Sequence, residues 1–435
     1  MVKSWLEKQF KLSNFGTNPR IEMTAGFTTF ITMAYIIIVH PNLMKAAGMP
    51  VGAVMTSTII VSALFSIIMG LYTNRPFALA PGLGGNAFFA YTIVASGLAS
   101  WQTGLGMVFI GGVIFVLLTV LGIREAIAKF IPKNIKLAIG SAVGLFIVGI
   151  GLTQAEIIVI NSSSGNLTLG NMHSKTVVLA LIGLIVTFGL MARKIRGAVL
   201  YGILLTTIIG IPLGVTKLPT DWFTLPPSPG PILFEVDWLQ ALQLSFIPLI
   251  FTFFAGDFFS TMGTLLGVGA KAKLLDENGD LPGIKKPFLV DGVGTIAGAF
   301  AGLTTVTTYI ESASGVEVGG RTGLTAIWTG FFFLLSLLFM PILLMIPTVA
   351  TAPALIAIGL GMLTTLQELD YEKTDEIIPA FVTIIFTGLS FSIANGIVFG
   401  ILTYAVMKVL SGKLKEVPVS LIIFCIPLVY YLWLN

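Results

Sequence analysis

The sequence predicts an all-α polytopic membrane protein with fourteen transmembrane segments. Three observations lead there. Of 435 residues, 55% are hydrophobic and only 10% charged, against about 25% charged in an average soluble domain. Mean hydropathy is +0.97. Apolar runs of about 20 residues, enough to cross a bilayer, recur along the chain, and the longest polar connections are 154–173, 217–239 and 268–286.

In order, the segments are 24–45, 51–72, 76–98 and 102–122, then 136–154, 174–192 and 197–216. The second half runs 240–267, 287–303, 304–319 and 322–346, then 349–365, 376–391 and 394–411. A further apolar stretch, 418–434, either spans again or lies in the interface. The first 22 residues carry Lys3, Lys8, Lys11 and Arg20 without an apolar core, so no cleavable signal is expected. With the N-terminus inside and the spans alternating, 21 Lys and Arg face the cytoplasm, Arg124, Lys129 and Lys271 among them. Only Lys45, Lys175 and Lys217 face outward. That asymmetry fixes the expected orientation and accounts for the net charge of +4 without an anionic or nucleic-acid partner.

Residues 197–206, GAVLYGILLT, resemble 395–404, NGIVFGILTY, each late in its half. A unit of seven spans returns inverted, so a 7+7 inverted repeat fits, as in many secondary transporters. Two segments are interrupted, the third in each half. FALAPGLGGNAFFAYT (77–92) places Pro81 and three glycines before Asn86. TTVTTY (304–309) is a β-prone run before Glu311 and a short helix. Irregular backbone at membrane depth is tolerated where protein buries it or it lines a cavity, and paired interruptions point to a transport site.

Acids inside spans are costly and, by default, functional. Asp257 lies in FTFFAGDFFSTMGT, Asp291 in FLVDGVGT, and Glu311 follows the threonines. No Lys or Arg shares the depth of Asp257 or Glu311. The plainer alternatives are a packing role for Asp257 on Ser260 or Thr261, an N-cap for Asp291, and a loop position for Glu311. Glu317, beside Arg321, reads as a surface or Arg-paired acid. Phe88 and Phe89 face lipid or neighbouring helices, or one of them stacks on a flat ring. Cys425 is the single cysteine, and His40 and His173 stand far apart. Neither a disulfide framework nor a metal site follows, and no cofactor is expected. No metal triad, Ser/His pair or paired-Asp motif suggests an enzyme.

The stretches MTAGFTTFITMAYIIIVHP (23–41), APGLGGNAFFAY (80–91), GDFFSTMGTLLGV (256–268), TTYIESASGVEVGGRTGLTA (307–326) and FSIANGIVFG (391–400) together carry a resemblance. The chain resembles the purine nucleobase permeases of the adenine/guanine/hypoxanthine type, within the nucleobase–ascorbate and uracil transporter superfamily. The resemblance implies a proton symporter of the cell membrane. It implies a core domain of 1–122 and 238–346, a gate domain of 123–237 and 347–435, and short antiparallel strands in segments 3 and 10. Glu311 would cap the half-helix facing the base. Asn86, Asp257 and Glu311 match the family's polar substrate residues, with Phe88, Tyr309 and Ser312 beside them; Asp257, Asp291 and Glu311 are the candidates for proton coupling. Two departures stand out: Gly85 before Asn86, and Ser260 where the family usually has a second Asp. The expected partners are a purine base, a proton and the bilayer; a homodimer is compatible with such a chain. The alternatives are a same-fold carrier of uracil or xanthine, or of an anion such as sulfate.

Overall fold

The computed structural model describes residues 2–122, 133–160, 167–219, 224–277, 280–390 and 392–434. Arg124 and Lys129, counted among the inward-facing charges, lie outside the described residues. The first half runs α1 (Val2–Phe10), α2 (Pro19–Met33), α3 (Ile36–Ala46), α4 (Val51–Thr73), β1 (Leu79–Pro81), α5 (Leu83–Ala87) and α6 (Trp101–Leu121). Helix α5 continues as a wider π-helical stretch, Phe88–Ala95. Then come α7 (Lys133–Gln154), a hairpin of β2 (Ile158–Ile160) and β3 (Leu167–Leu169), α8 (Lys175–Ala192) and α9 (Ala198–Gly210). The second half runs α10 (Ile247–Lys271), α11 (Lys285–Phe300), β4 (Val306–Thr308), α12 (Ser312–Glu317) and α13 (Gly323–Ser336). It ends with α14 (Met340–Leu344), α15 (Thr348–Met362), α16 (Thr374–Ser390), α17 (Ile393–Leu410) and α18 (Val419–Leu434).

Local chemistry sets the helix ends. Asn18 accepts from the N–H groups of Arg20 and Ile21 ahead of Pro19, so α2 starts there. Ser100 and Ser174 do the same for α6 and α8. Nine helices among the described residues, α2 with α3 counted as one, are long and apolar enough to cross a membrane. The other five segments read from the sequence are shorter or broken. They are the two strand-and-half-helix stretches, α9 with 13 residues, α11 with 16 and α16 with 17.

The helices pack in two groups. Helices α2 to α6 pack with α10 to α13, and α7 to α9 pack with α15 to α17. Each group has a crossing where two backbones touch. A Cβ on Gly323 would lie 1.9 Å from the Gly70 carbonyl oxygen, which holds α4 against α13. A Cβ on Gly359 would lie 2.5 Å from the Gly144 oxygen, which does the same for α7 and α15. Only glycine permits such approach between helices. The C-terminal α18 lies between the groups. Its Phe424 ring sits 4.2 Å from Phe251 of α10, and Tyr431 donates to Asn395 of α17 at 3.0 Å.

Candidate functional site

The two interrupted segments meet as an antiparallel pair, with Leu79 opposite Thr308, Ala80 opposite Thr307 and Pro81 opposite Val306. A two-stranded sheet has two open edges, and each buried edge N–H needs an acceptor. Residues 305, 307 and 309 face β1: Gly82 N–H donates to the Thr305 carbonyl at 2.8 Å and Tyr309 N–H to the Ala78 carbonyl at 2.9 Å. The alternate residues face away, and side chains meet them. Val306 N–H donates to Thr295 Oγ1 at 3.0 Å, and Thr308 N–H to Asp291 Oδ2 at 2.7 Å. On β1, Leu79 N–H donates to Ser66 Oγ at 2.9 Å. Pro81, the next outward position, has no N–H to satisfy.

Asp291 therefore sits fully buried inside α11 and accepts three bonds. Besides Thr308 N–H, they come from Thr308 Oγ1 and Thr261 Oγ1, both at 2.8 Å. It caps no helix: its donors come from a strand and from α10. Asp257 is also buried, and Thr295 of α11 donates to its Oδ2 at 2.8 Å. Neither Ser260 nor Thr261 of its own helix serves it. Ser260 is exposed, and Thr261 faces Asp291 and Thr307. Among the described residues Asp257 Oδ1 has no hydrogen-bond partner.

Glu311 occupies the N-cap position of α12, yet its side chain makes no capping bond, contrary to the expected role. Its own dihedrals are helical, at φ −59° and ψ −18°, whereas a capping residue is usually extended. The carboxylate instead accepts from the Tyr35 hydroxyl at 2.5 Å. Asn86 lies fully buried, accepting from Thr304 Oγ1 and donating to the Pro81 carbonyl at 3.4 Å. Tyr309 donates its hydroxyl to the same carbonyl, and Ser312 Oγ accepts from Ala78 N–H at 3.0 Å. These three bind the interrupted segments to each other. Phe88 packs edge-on against Phe253, ring centroids 4.9 Å apart, and is buried. Glu317 pairs at the surface with Lys271, at 2.9 Å, and not with Arg321.

Open space runs along α10 beside Asp257. Gly256, Ser260, Gly263 and Gly267 recur at helical spacing and are exposed. Nothing lies within 4 Å of a Cβ built on Gly256 or Gly263, and one on Gly267 would meet Ile310, the neighbour of Glu311, at 3.6 Å. Sequence reasoning missed Tyr35 and Thr295, hydroxyls in otherwise apolar helices, and offered Thr261 to Asp257 where it serves Asp291. It also missed Glu22, just ahead of the first expected span. Glu22 is fully buried and accepts from the N–H groups of Arg321, Thr322 and Thr325, at 3.0, 3.3 and 3.0 Å. It thereby holds the start of α13.

Paired half-helices at the centre of a polytopic bundle, with buried acids beside them, are the build of a membrane transporter. The comparisons agree. The Permease family model matches residues 20–426. A permease of Methanocaldococcus jannaschii is 43% identical, over 99% of this chain and 99% of its own. The adenine permease AdeP of Escherichia coli is 40% identical, over 96% of this chain and 94% of its own. The guanine/hypoxanthine permease PbuG of Bacillus subtilis is also 40% identical, over 98% and 99%. In fold alone, the chain is similar to the transmembrane domain of the cyanobacterial bicarbonate transporter BicA. The TM-score is 0.62 at 15% identity, over 86% of this chain and 97% of that one. The chain belongs to the Permease family, among its purine nucleobase permeases. It is a permease and not an enzyme.

Proposed function

We propose that this chain is a secondary active transporter that takes purine nucleobases, adenine, guanine or hypoxanthine, into the cell together with protons. The observation that carries the reading is the Asp257 carboxylate. It is buried, one oxygen is held by Thr295, and the other has no partner among the described residues. An unmet buried acceptor costs about 1–3 kcal/mol, and more if charged, so a bound donor stabilises it. A purine edge offers ring N–H donors beside ring acceptors. Asp257 accepts an N–H; Glu311, across the open face of α10, is the second contact and takes the transported proton. Asp291, already engaged by three donors, holds the strand. The named relatives that act on adenine, guanine and hypoxanthine support the purine class.

In this reading all fourteen segments cross the membrane as a 7+7 inverted repeat, with the N-terminus in the cytoplasm. The helices grouped around β1 and β4 form a core that moves against a gate formed by the others, exposing the site to each side in turn. The decisive experiment is uptake into proteoliposomes of radiolabelled adenine, guanine, hypoxanthine, xanthine, uracil and sulfate, with and without a pH gradient. Purine uptake driven by an inward proton gradient supports the reading. Uptake of sulfate alone overturns it, as two site carboxylates repel an anion. Cysteines at Lys175 and Lys273 in a Cys425→Ser background should label from opposite faces; labelling from one face refutes the orientation.

A further inference from the structure

The first span breaks beside the site. Helix α2 ends at Met33 and α3 begins at Ile36, leaving Ala34 and Tyr35 in a turn between them. Tyr35 is buried, at 2% exposure, and its ring comes from 276 residues away in sequence to reach Glu311. Its hydroxyl donates to Glu311 Oε1 at 2.5 Å, the length of a strong bond to a charged acceptor. The last turn of α2 grips the half-helix a second time, through Thr32 Oγ1 and Ser314 Oγ at 2.8 Å. Glu311 itself is only part-buried.

We infer that Tyr35 is a positioning residue of the transport site, holding one oxygen of Glu311 so that the other, with any proton it carries, meets the base. The inference rests on the proposed role of Glu311. Its chemistry is simple. A phenol has one proton, and Tyr35 spends it on Oε1. That oxygen is then a poor place for a second proton, so a proton arriving at Glu311 goes to Oε2. Ionised, Glu311 offers Oε2 to an N–H of the base; neutral, it offers an O–H from the same atom to a ring acceptor. Without Tyr35 the carboxyl is free to rotate, and the proton occupies either oxygen.

The test is a double-mutant cycle on equilibrium binding. Radiolabelled adenine, hypoxanthine and guanine are titrated onto the full-length protein in lipid nanodiscs, and the tightest of the three is the probe. The variants are Tyr35→Phe, Glu311→Ala and the two together; Glu311→Ser replaces Glu311→Ala if that variant is not recovered folded. Tyr35→Phe keeps the ring and its packing and is expected to weaken binding about tenfold, the size of one hydrogen bond to a charged group. Glu311→Ala weakens it at least as much, and the double variant binds no more weakly than Glu311→Ala alone. Wild-type binding by Tyr35→Phe overturns the inference. So does an additive double variant, which would mean that the ring acts by packing and not through Glu311. If Glu311→Ala binds like wild type, the site reading itself falls, and this inference with it.

Discussion

Asp291→Ala should unfasten β4, and its size can be worked from the donors it serves. Thr308 N–H and Thr308 Oγ1 reach Oδ2 at 2.7 and 2.8 Å, and Thr261 Oγ1 reaches Oδ1 at 2.8 Å. The two hydroxyls can turn elsewhere; Thr261 already faces Thr307 at 2.8 Å. The N–H cannot, because the strand fixes its direction. An orphaned buried N–H costs about 1–3 kcal/mol, and a lost hydrogen bond to a charged group about 1.5–3 kcal/mol. The alanine variant should therefore lose about 3–5 kcal/mol of stability. Asp291→Asn is the control. Its amide oxygen can serve both Thr308 donors while its NH2 donates to Thr261, so the loss should stay at about 1–2 kcal/mol. Thermal unfolding of the purified protein should rank wild type above Asn above Ala. Hydrogen exchange at the Thr308 amide should rise markedly only in the alanine variant. Equal stability of the two variants, or unchanged protection of that amide in both, refutes the account of how the strand is held. A folded Asn variant without any uptake would move Asp291 from the strand to the transport chemistry.

Asp257→Asn should leave a folded protein whose purine affinity falls about tenfold and whose binding loses part of its pH dependence; titrating a purine from about pH 5 to 9 checks both, and an unchanged pH dependence would leave proton coupling to Glu311 alone. Gly323→Ala should push α4 from α13, since the added Cβ would sit 1.9 Å from the Gly70 oxygen. The loss should be about 3 kcal/mol or more, and wild-type thermal stability would mean that the crossing is looser than described. Lys408 is 2% exposed and lies 2.7 Å from both Asp375 and Glu416. Lys408→Met should cost about 2–4 kcal/mol, because it leaves the buried Asp375 with only the half-exposed Lys413, at 3.2 Å, as a cationic partner; in that background Asp375→Leu should restore part of the loss, and a further fall would refute the pairing.

The membrane class, the long spans and the two broken segments were legible in the sequence because each is a local property. A run of about 20 apolar residues is sufficient for a span, and Pro81 with its glycines or TTVTTY is enough to disfavour a continuous helix. Asp257 and Glu311 stood out for the same reason, as acids in apolar surroundings. What each acid does was not legible. Asp291 read as a proton-coupling candidate or, more plainly, an N-cap; packing places it under a strand, with donors from Thr261 and Thr308. Glu311 read as a helix cap, and packing turns it to Tyr35. Glu22 escaped notice because its partners lie about 300 residues on, at the start of α13. Composition and spacing report what a residue must be shielded from; which donor shields it is set by tertiary packing, since hydrogen bonds act over about 3 Å and chain separation carries no information at that range. That is why Asn86 and Thr304, 218 residues apart, become one contact only when the two broken segments meet.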